Sequence, residues 1–237
     1  MINTMLFPFL QTAVDAVEAV PVQEELSFSL ISMAAKGGWL MLVLLALSIV
    51  AIYIFGKKWW AIRQAGKIDK NFIKDVDNYL AEGKVRSARA LCRRSDTPIA
   101  RMIEKGVERI DKPLADIRIA VENVANVEVA KLEKGLPVLA TIAGGAPMIG
   151  FLGTVMGMVQ AFFNMAQAGN NIDITLLSGG IYTAMITTVG GLIVGILAYF
   201  GYNFLTAQVS SLVAKMEASS IEFLDAAQAR KESKNEA

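Results

Sequence analysis

The 237-residue sequence has no histidine and a single cysteine, Cys92. The first absence removes His-dependent catalytic triads, His-ligated zinc, axial haem histidines and histidine pH switches. The second removes an intrachain disulfide framework. Charge is also scarce. Charged residues make up 19%, and 23 Lys and Arg against 22 Asp and Glu leave a net charge of +1. That balance excludes a bulk basic coat for nucleic acid. No catalytic triad, metal cluster or phosphate loop is legible, so the chain reads as a non-enzyme with no metal and no cofactor. What is present in excess is apolar: 54% of residues are hydrophobic and the mean hydropathy is +0.45, above a typical soluble domain.

The placement of the few charges turns this excess into an all-α membrane protein. Residues 37–56 carry no charge; as a helix they would be roughly 30 Å long, the thickness of a bilayer core. Trp39 stands near one end and Tyr53, Trp59 and Trp60 near the other, as an aromatic belt requires. Between Gly135 and Ala214 the only charge is Asp173. It separates a second block, 136–163, from a third, 174–205, which would be roughly 42 and 48 Å as helices. Both exceed the bilayer core, so they should tilt, kink or run past it. The polar connector 164–173 makes the pair an antiparallel hairpin.

Basic residues set the expected topology. Residues 57–135 carry 18 bases and 12 acids, whereas the connector carries no base. Segment 57–135 and the tail 206–237 are therefore expected in the cytoplasm, with the N-terminal segment 1–36 and the connector outside. The first residues lack a basic stretch, and Pro8 interrupts their short apolar run, which argues against a signal peptide. Residues 10–20 fit either a short amphipathic surface helix or disorder.

Segment 57–135 reads as a bundle of helices. Asp69 is a candidate cap for a helix that Gly83 ends, and a second run covers 84–95. Thr97 and Pro98 have the cap-then-proline order of a helix start. A third run begins at Asp111–Pro113 and carries a stripe of Leu114, Ile117, Val121, Val124, Leu132 and Leu136. No terminator is evident after it, so 113–163 reads as one long helix, with Pro137 and Pro147 as candidate kinks. Lys57, Lys58, Arg63 and Lys67 form a membrane-proximal basic collar. The other bases interleave with acids, as on a solvated bundle rather than a nucleic-acid face. Cys92 has no helpers for a nucleophile and is expected to be buried as a small apolar residue.

Small residues mark the last two blocks. Gly150, Gly153, Thr154, Gly157 and Ala161 recur on one, and Gly180, Ala184, Thr187, Thr188, Gly191 and Gly195 on the other. Such faces let helix backbones approach closely and need another helix to cover them, which points to a homo-oligomer. Taken singly, each threonine fits packing, with its hydroxyl bonded back to the carbonyl four residues earlier. Taken together, Thr154, Thr183, Thr187 and Thr188 fit the polar lining of an interior or subunit-facing cavity. The spans hold no Asp, Glu, Lys or Arg, and Asp173 at the edge suits a helix cap. If protons cross, a second protein must bring the carboxylate.

The runs GFLGTVMGMVQAF (150–162) and GGIYTAMITTVGGLIVGILAYFGYN (179–203) resemble the paired signature of the MotA/TolQ/ExbB proton channel family. ARALCRRSDTPIARMIEKG (88–106) is similar to the cytoplasmic segment of its ExbB members. Three spans with a large insert after the first fit ExbB and TolQ better than the four-span MotA stators. The resemblance implies a pentameric funnel of this chain around an ExbD-like single-span partner that carries the membrane aspartate. It also implies a TonB-like protein that passes proton-driven work to outer-membrane uptake, and an inner-membrane location. By motif match Thr154 and Thr188 correspond to the family's pore threonines. Thr183 stands where many members have glutamate, GIYTAMITT against GIAEALxAT, which puts in doubt any role for a carboxylate of this chain. A TolQ-like or other stator subunit, and a non-conducting membrane scaffold, are the alternatives.

Overall fold

The computed structural model describes residues 38–67, 71–168 and 174–236. The N-terminal segment, the candidate cap Asp69 and Asp173 lie outside them. Every element among the described residues is a helix: α1 Gly38–Ala65, α2 Phe72–Ala81, α3 Val85–Ser95, α4 Pro98–Glu108, α5 Leu114–Glu133, α6 Leu136–Ala168 and α7 Ile174–Glu236. Three stretches are long and apolar enough to cross a membrane, within Gly38–Ala65, Leu114–Gln167 and Leu177–Glu232. They coincide with the charge-poor blocks, because helices are the economical way to satisfy every backbone polar group in hydrocarbon. The chain is a three-span all-α membrane protein.

The helices α1, α6 and α7 form the membrane bundle, and α2 to α5 form a charged domain. Helix α7 has 63 residues, roughly 95 Å at 1.5 Å per residue, and serves both. It packs along α6 and α1 and continues against α5, α4 and α2. Residues 206–236, read as a tail, are thus the second half of one helix. Their buried positions Val209, Leu212, Met216, Phe223 and Ala227 follow a helical stripe into the charged domain.

Local signals explain most of the short helices. Gly83 adopts φ +76°; its amide donates to the Leu80 carbonyl and that of Lys84 to the Tyr79 carbonyl, a Schellman ending that needs a left-handed residue. Helix α2 begins after Asn71, whose side chain makes no cap bond. Helix α4 begins as the sequence implies, with the Thr97 hydroxyl accepting from the Ala100 amide at 3.2 Å and Pro98 following. Its apolar face buries Ile99, Met102, Ile103 and Val107 against Ile117 and Val121 of α5. Cys92 is in the same core, 1% exposed, and burial, aided by the Glu104 charge, pushes its thiol up to about 12.

The expected single helix over 113–163 is two helices. The chain breaks at Lys134–Gly135, where Gly135 takes φ +96°. The cause is Pro137. A continuous helix would put its ring against the carbonyl four residues earlier, at Glu133, with no amide to bond it. The break leaves the last carbonyls of α5 unpaired by helix, and a collar residue takes them: Lys58 Nζ donates to Lys131 O at 2.9 Å and Leu132 O at 3.2 Å. Pro147, in contrast, is accommodated inside α6.

Ion pairs tie several helices of the charged domain together. Arg89 bonds Glu104 and Glu108, and Arg93 bonds Glu104 at 2.7 Å, joining α3 to α4. Glu128 of α5, with a side chain 4% exposed, accepts from Arg101 of α4 at 2.6 Å and from Lys131 at 2.7 Å. Removing one member of a buried pair strands the other. Glu128→Leu is therefore expected to lower the stability of the charged domain by about 2 kcal/mol, because Arg101 keeps Asp96 as a second partner. Chemical unfolding in detergent measures it, and a loss below about 0.5 kcal/mol, the level of an exposed pair, would contradict it.

Candidate functional site: the α6–α7 seam

Helices α6 and α7 make the most extensive contact in the chain, and small residues on both sides make it possible. A Cβ on Gly150 would lie 3.0 Å from the Thr187 carbonyl oxygen and 3.1 Å from Gly191 Cα. One on Gly157 would lie 2.7 Å from Ala184 Cβ, and one on Gly180 2.7 Å from Ala161 Cβ. Gly195 faces Pro147, and Gly153 faces the Thr187 side chain. The two small faces thus cover each other within one chain. These faces are therefore no argument for or against a second copy: periodicity shows that a face is small, and the tertiary contact shows which helix fills it. Surfaces left for other copies or lipid are instead the large apolar ones, such as Phe151, Val155 and Phe162 on α6 and Met185, Leu192 and Phe200 on α7.

Backbone proximity brings two threonines together. The Thr188 hydroxyl donates to the Gly150 carbonyl at 3.0 Å. The Thr154 hydroxyl, on the facing helix, lies within hydrogen-bond reach of the Thr188 hydroxyl, of the Ala184 carbonyl at 3.3 Å and of its own Gly150 carbonyl at 3.4 Å. Two hydroxyls from two spans therefore share one carbonyl, and both residues are half-buried. Each hydroxyl has one proton and two lone pairs, so the group has acceptor capacity left for a further donor.

The other two threonines stand apart from this pair. Thr187 is 2% exposed; its hydroxyl donates back to the Thr183 carbonyl at 2.8 Å, and its methyl fills the space at Gly153. That is a packing role. Thr183 lies one helical turn before Thr187 and seven residues before Gly190, the residue that Met41 of α1 meets. It is on the α1 side of α7, away from the pair. Gln160 bonds Asn164 at 3.0 Å and Asn203 bonds the Tyr199 carbonyl at 3.0 Å, both on exposed surface. Ala184 was legible only as a small residue of the packing face; its carbonyl is the fourth polar group at the seam. A backbone acceptor carries no mark in the side-chain sequence.

The seam lies inside the region that known proteins share. A family model described as the MotA/TolQ/ExbB proton channel family matches residues 94–218. The chain belongs to the MotA/TolQ/ExbB proton channel family. The match covers α4 to most of α7 and leaves out α1. Among similar proteins, an ExbB homologue of biopolymer transport from Methanothermobacter thermautotrophicus is 26% identical over 190 residues, 80% of this chain and 67% of that one. An ExbB-like protein of Synechocystis is 29% identical over 174 residues, 73% of this chain and 68% of its own. The biopolymer transport protein ExbB of Xanthomonas campestris is 36% identical over 98 residues, 41% of this chain and 38% of its own. These three relatives all carry ExbB names.

Proposed function

We propose that this chain is the channel subunit of a proton-driven motor in the bacterial inner membrane. Several copies, five by family resemblance, would surround an ExbD-like single-span partner that brings a membrane aspartate. The complex would convert proton motive force into mechanical work on a TonB-like protein that serves outer-membrane uptake. The excess of bases in 57–135 supports a cytoplasmic charged domain and C-terminus, with the N-terminus periplasmic.

The observation that carries this reading is the Thr154–Thr188 pair on one carbonyl, within spans whose sequence holds no ionisable carrier. Hydroxyls pass protons along a chain of hydrogen bonds but do not store the charge, and intramembrane carriers are ordinarily carboxylates. A partner aspartic acid, donating its proton into the free acceptor capacity of the pair, supplies the missing group. The threonine at position 183 is consistent with this division of labour, because this chain then needs no carboxylate.

Valine keeps the shape of threonine and removes its hydroxyl. With Thr154→Val and Thr188→Val together, the complex is expected to assemble with its partner while proton-driven uptake falls about tenfold or more; each single change should give a part of that loss, one hydrogen bond being worth about 1 kcal/mol. Uptake and partner co-purification are measured on the same cells. Full uptake in the double variant would instead favour a scaffold that conducts nothing.

A further inference from the structure

One face of α1 packs only partly against α7, with Ala51 and Phe55 in the bundle core and Ile52 exposed, and it changes character at the membrane boundary. Ser48, Ile52 and Phe55, at spacings of four and three, line a groove of about 450 Å³ with Leu197 and Phe204 of α7. Its lining is almost wholly apolar. Four residues after Phe55 the same stripe reaches Trp59, and four later Arg63. These two, with Trp60 and Lys67, line a second cavity of about 480 Å³, closed on the other side by Ser95, Asp96 and Thr97 at the α3–α4 turn. An apolar slot at membrane depth and a polar pocket at the interface thus share α1 as a wall, with Phe55 of the one and Trp59 of the other one turn apart.

The pocket has the chemistry of an anion site. Arg63 stacks on Trp59, its guanidinium 5.7 Å from the ring centroid, which fixes the cation without neutralising it. Among the described residues neither Arg63 nor Lys67 is in an ion pair, in contrast to Arg89, Arg93 and Arg101. Among the described lining residues the one acid, Asp96, is held by Arg101 at 2.6 Å. Trp59 and Trp60 are 43% and 71% exposed, the placement that amphipathic rings take at headgroup depth.

We infer that α1, α7 and the α3–α4 turn form a binding site for one anionic phospholipid of the adjoining leaflet. An acyl chain occupies the groove and the phosphate meets Arg63 and Lys67, with the Ser95 and Thr97 groups at the pocket wall. A soluble phosphate or an acidic peptide would use the pocket alone; only a lipid uses both cavities along one stripe. The site would fix α1 against the charged domain at the level where Lys58 and the buried Ile62 already join them.

The test uses the full chain with Trp39→Phe, so that Trp59 and Trp60 report alone. It is reconstituted in phosphatidylcholine bilayers, and small amounts of brominated phosphatidylglycerol or brominated phosphatidylcholine are added. Bromine on the chain quenches tryptophan on contact. Quenching is expected at about 25-fold lower mole fraction of the anionic lipid, each of the two cations contributing roughly a factor of five. Arg63→Gln with Lys67→Gln should erase that preference. Leu197→Phe, on an exposed wall of the groove and so harmless to folding, should weaken it while leaving the charges in place. Equal quenching by the two lipids overturns the inference, as does a preference that survives loss of both cations. A preference that ignores Leu197→Phe, or that free glycerophosphate abolishes, overturns it in favour of a headgroup-only or soluble-anion site.

Discussion

Gly191→Ala is expected to be the most damaging single methyl group in the molecule. A Cβ there would lie 2.6 Å from the Ala146 carbonyl oxygen and 2.8 Å from Gly150 Cα. Both obstacles are backbone, so no rotamer change relieves them and α6 must move away from α7. Overpacking of this kind costs about 3 kcal/mol. The displacement also pulls Thr188 off the Gly150 carbonyl and Thr154 off Thr188, so the relay pair is lost with the packing. The purified chain should melt well below the parent in detergent, and proton-driven uptake should disappear. Gly144 is the control. A Cβ there meets nothing within 4 Å, and alanine is the better helix former by about 1 kcal/mol. Gly144→Ala should match or exceed the parent in stability. If both variants behave alike, close backbone approach is not what holds the hairpin.

The second large effect is expected at Phe223→Ala. Phe223 is 1% exposed on the part of α7 that runs beside the charged domain. Its ring sits where a side chain at Gly106 of α4 would be, next to Val121 of α5. The glycine is there because any Cβ would collide with the ring. Truncation removes the ring and leaves a cavity between three helices, a loss of about 3–4 kcal/mol. The membrane half of α7 does not depend on it. Limited proteolysis should therefore cut within 206–236 in Phe223→Ala while the α6–α7 hairpin stays resistant. Equal resistance of both halves would mean that the long helix is not latched by this contact.

The two variants mark how far the residues could be read without coordinates. The spans were legible because a bilayer penalises charge, so runs free of Asp, Glu, Lys and Arg announce themselves. The α4 start was legible because Thr97 and Pro98 act on their own local backbone, and so was the α2 ending at Gly83. Burial of Cys92 followed from the same local logic. The break at Gly135 was harder to see. Pro137 suggested a kink, but its effect falls four residues earlier, on the Glu133 carbonyl, and glycine at 135 then relieves it. The continuous α7 was hidden for a different reason: composition turns from apolar to polar after Leu205 and to charged from Lys215, yet the helix continues because its inner stripe stays apolar against a new neighbour.

At the seam the sequence marked the right residue types and left their partners open. Four threonines on two faces fit one cavity as well as they fit four separate hydrogen bonds. The fold joins Thr154 to Thr188, assigns Thr187 to packing and leaves Thr183 on the α1 side. Small residues likewise fit an interface between copies or within one chain. What the sequence determined by itself was the solvent of each segment and the periodicity of each face, because both follow from a residue and its near neighbours. Which face meets which was decided only by the tertiary structure, because that depends on helix rotation and depth, and these are set by distant contacts such as Gly191 on Gly150.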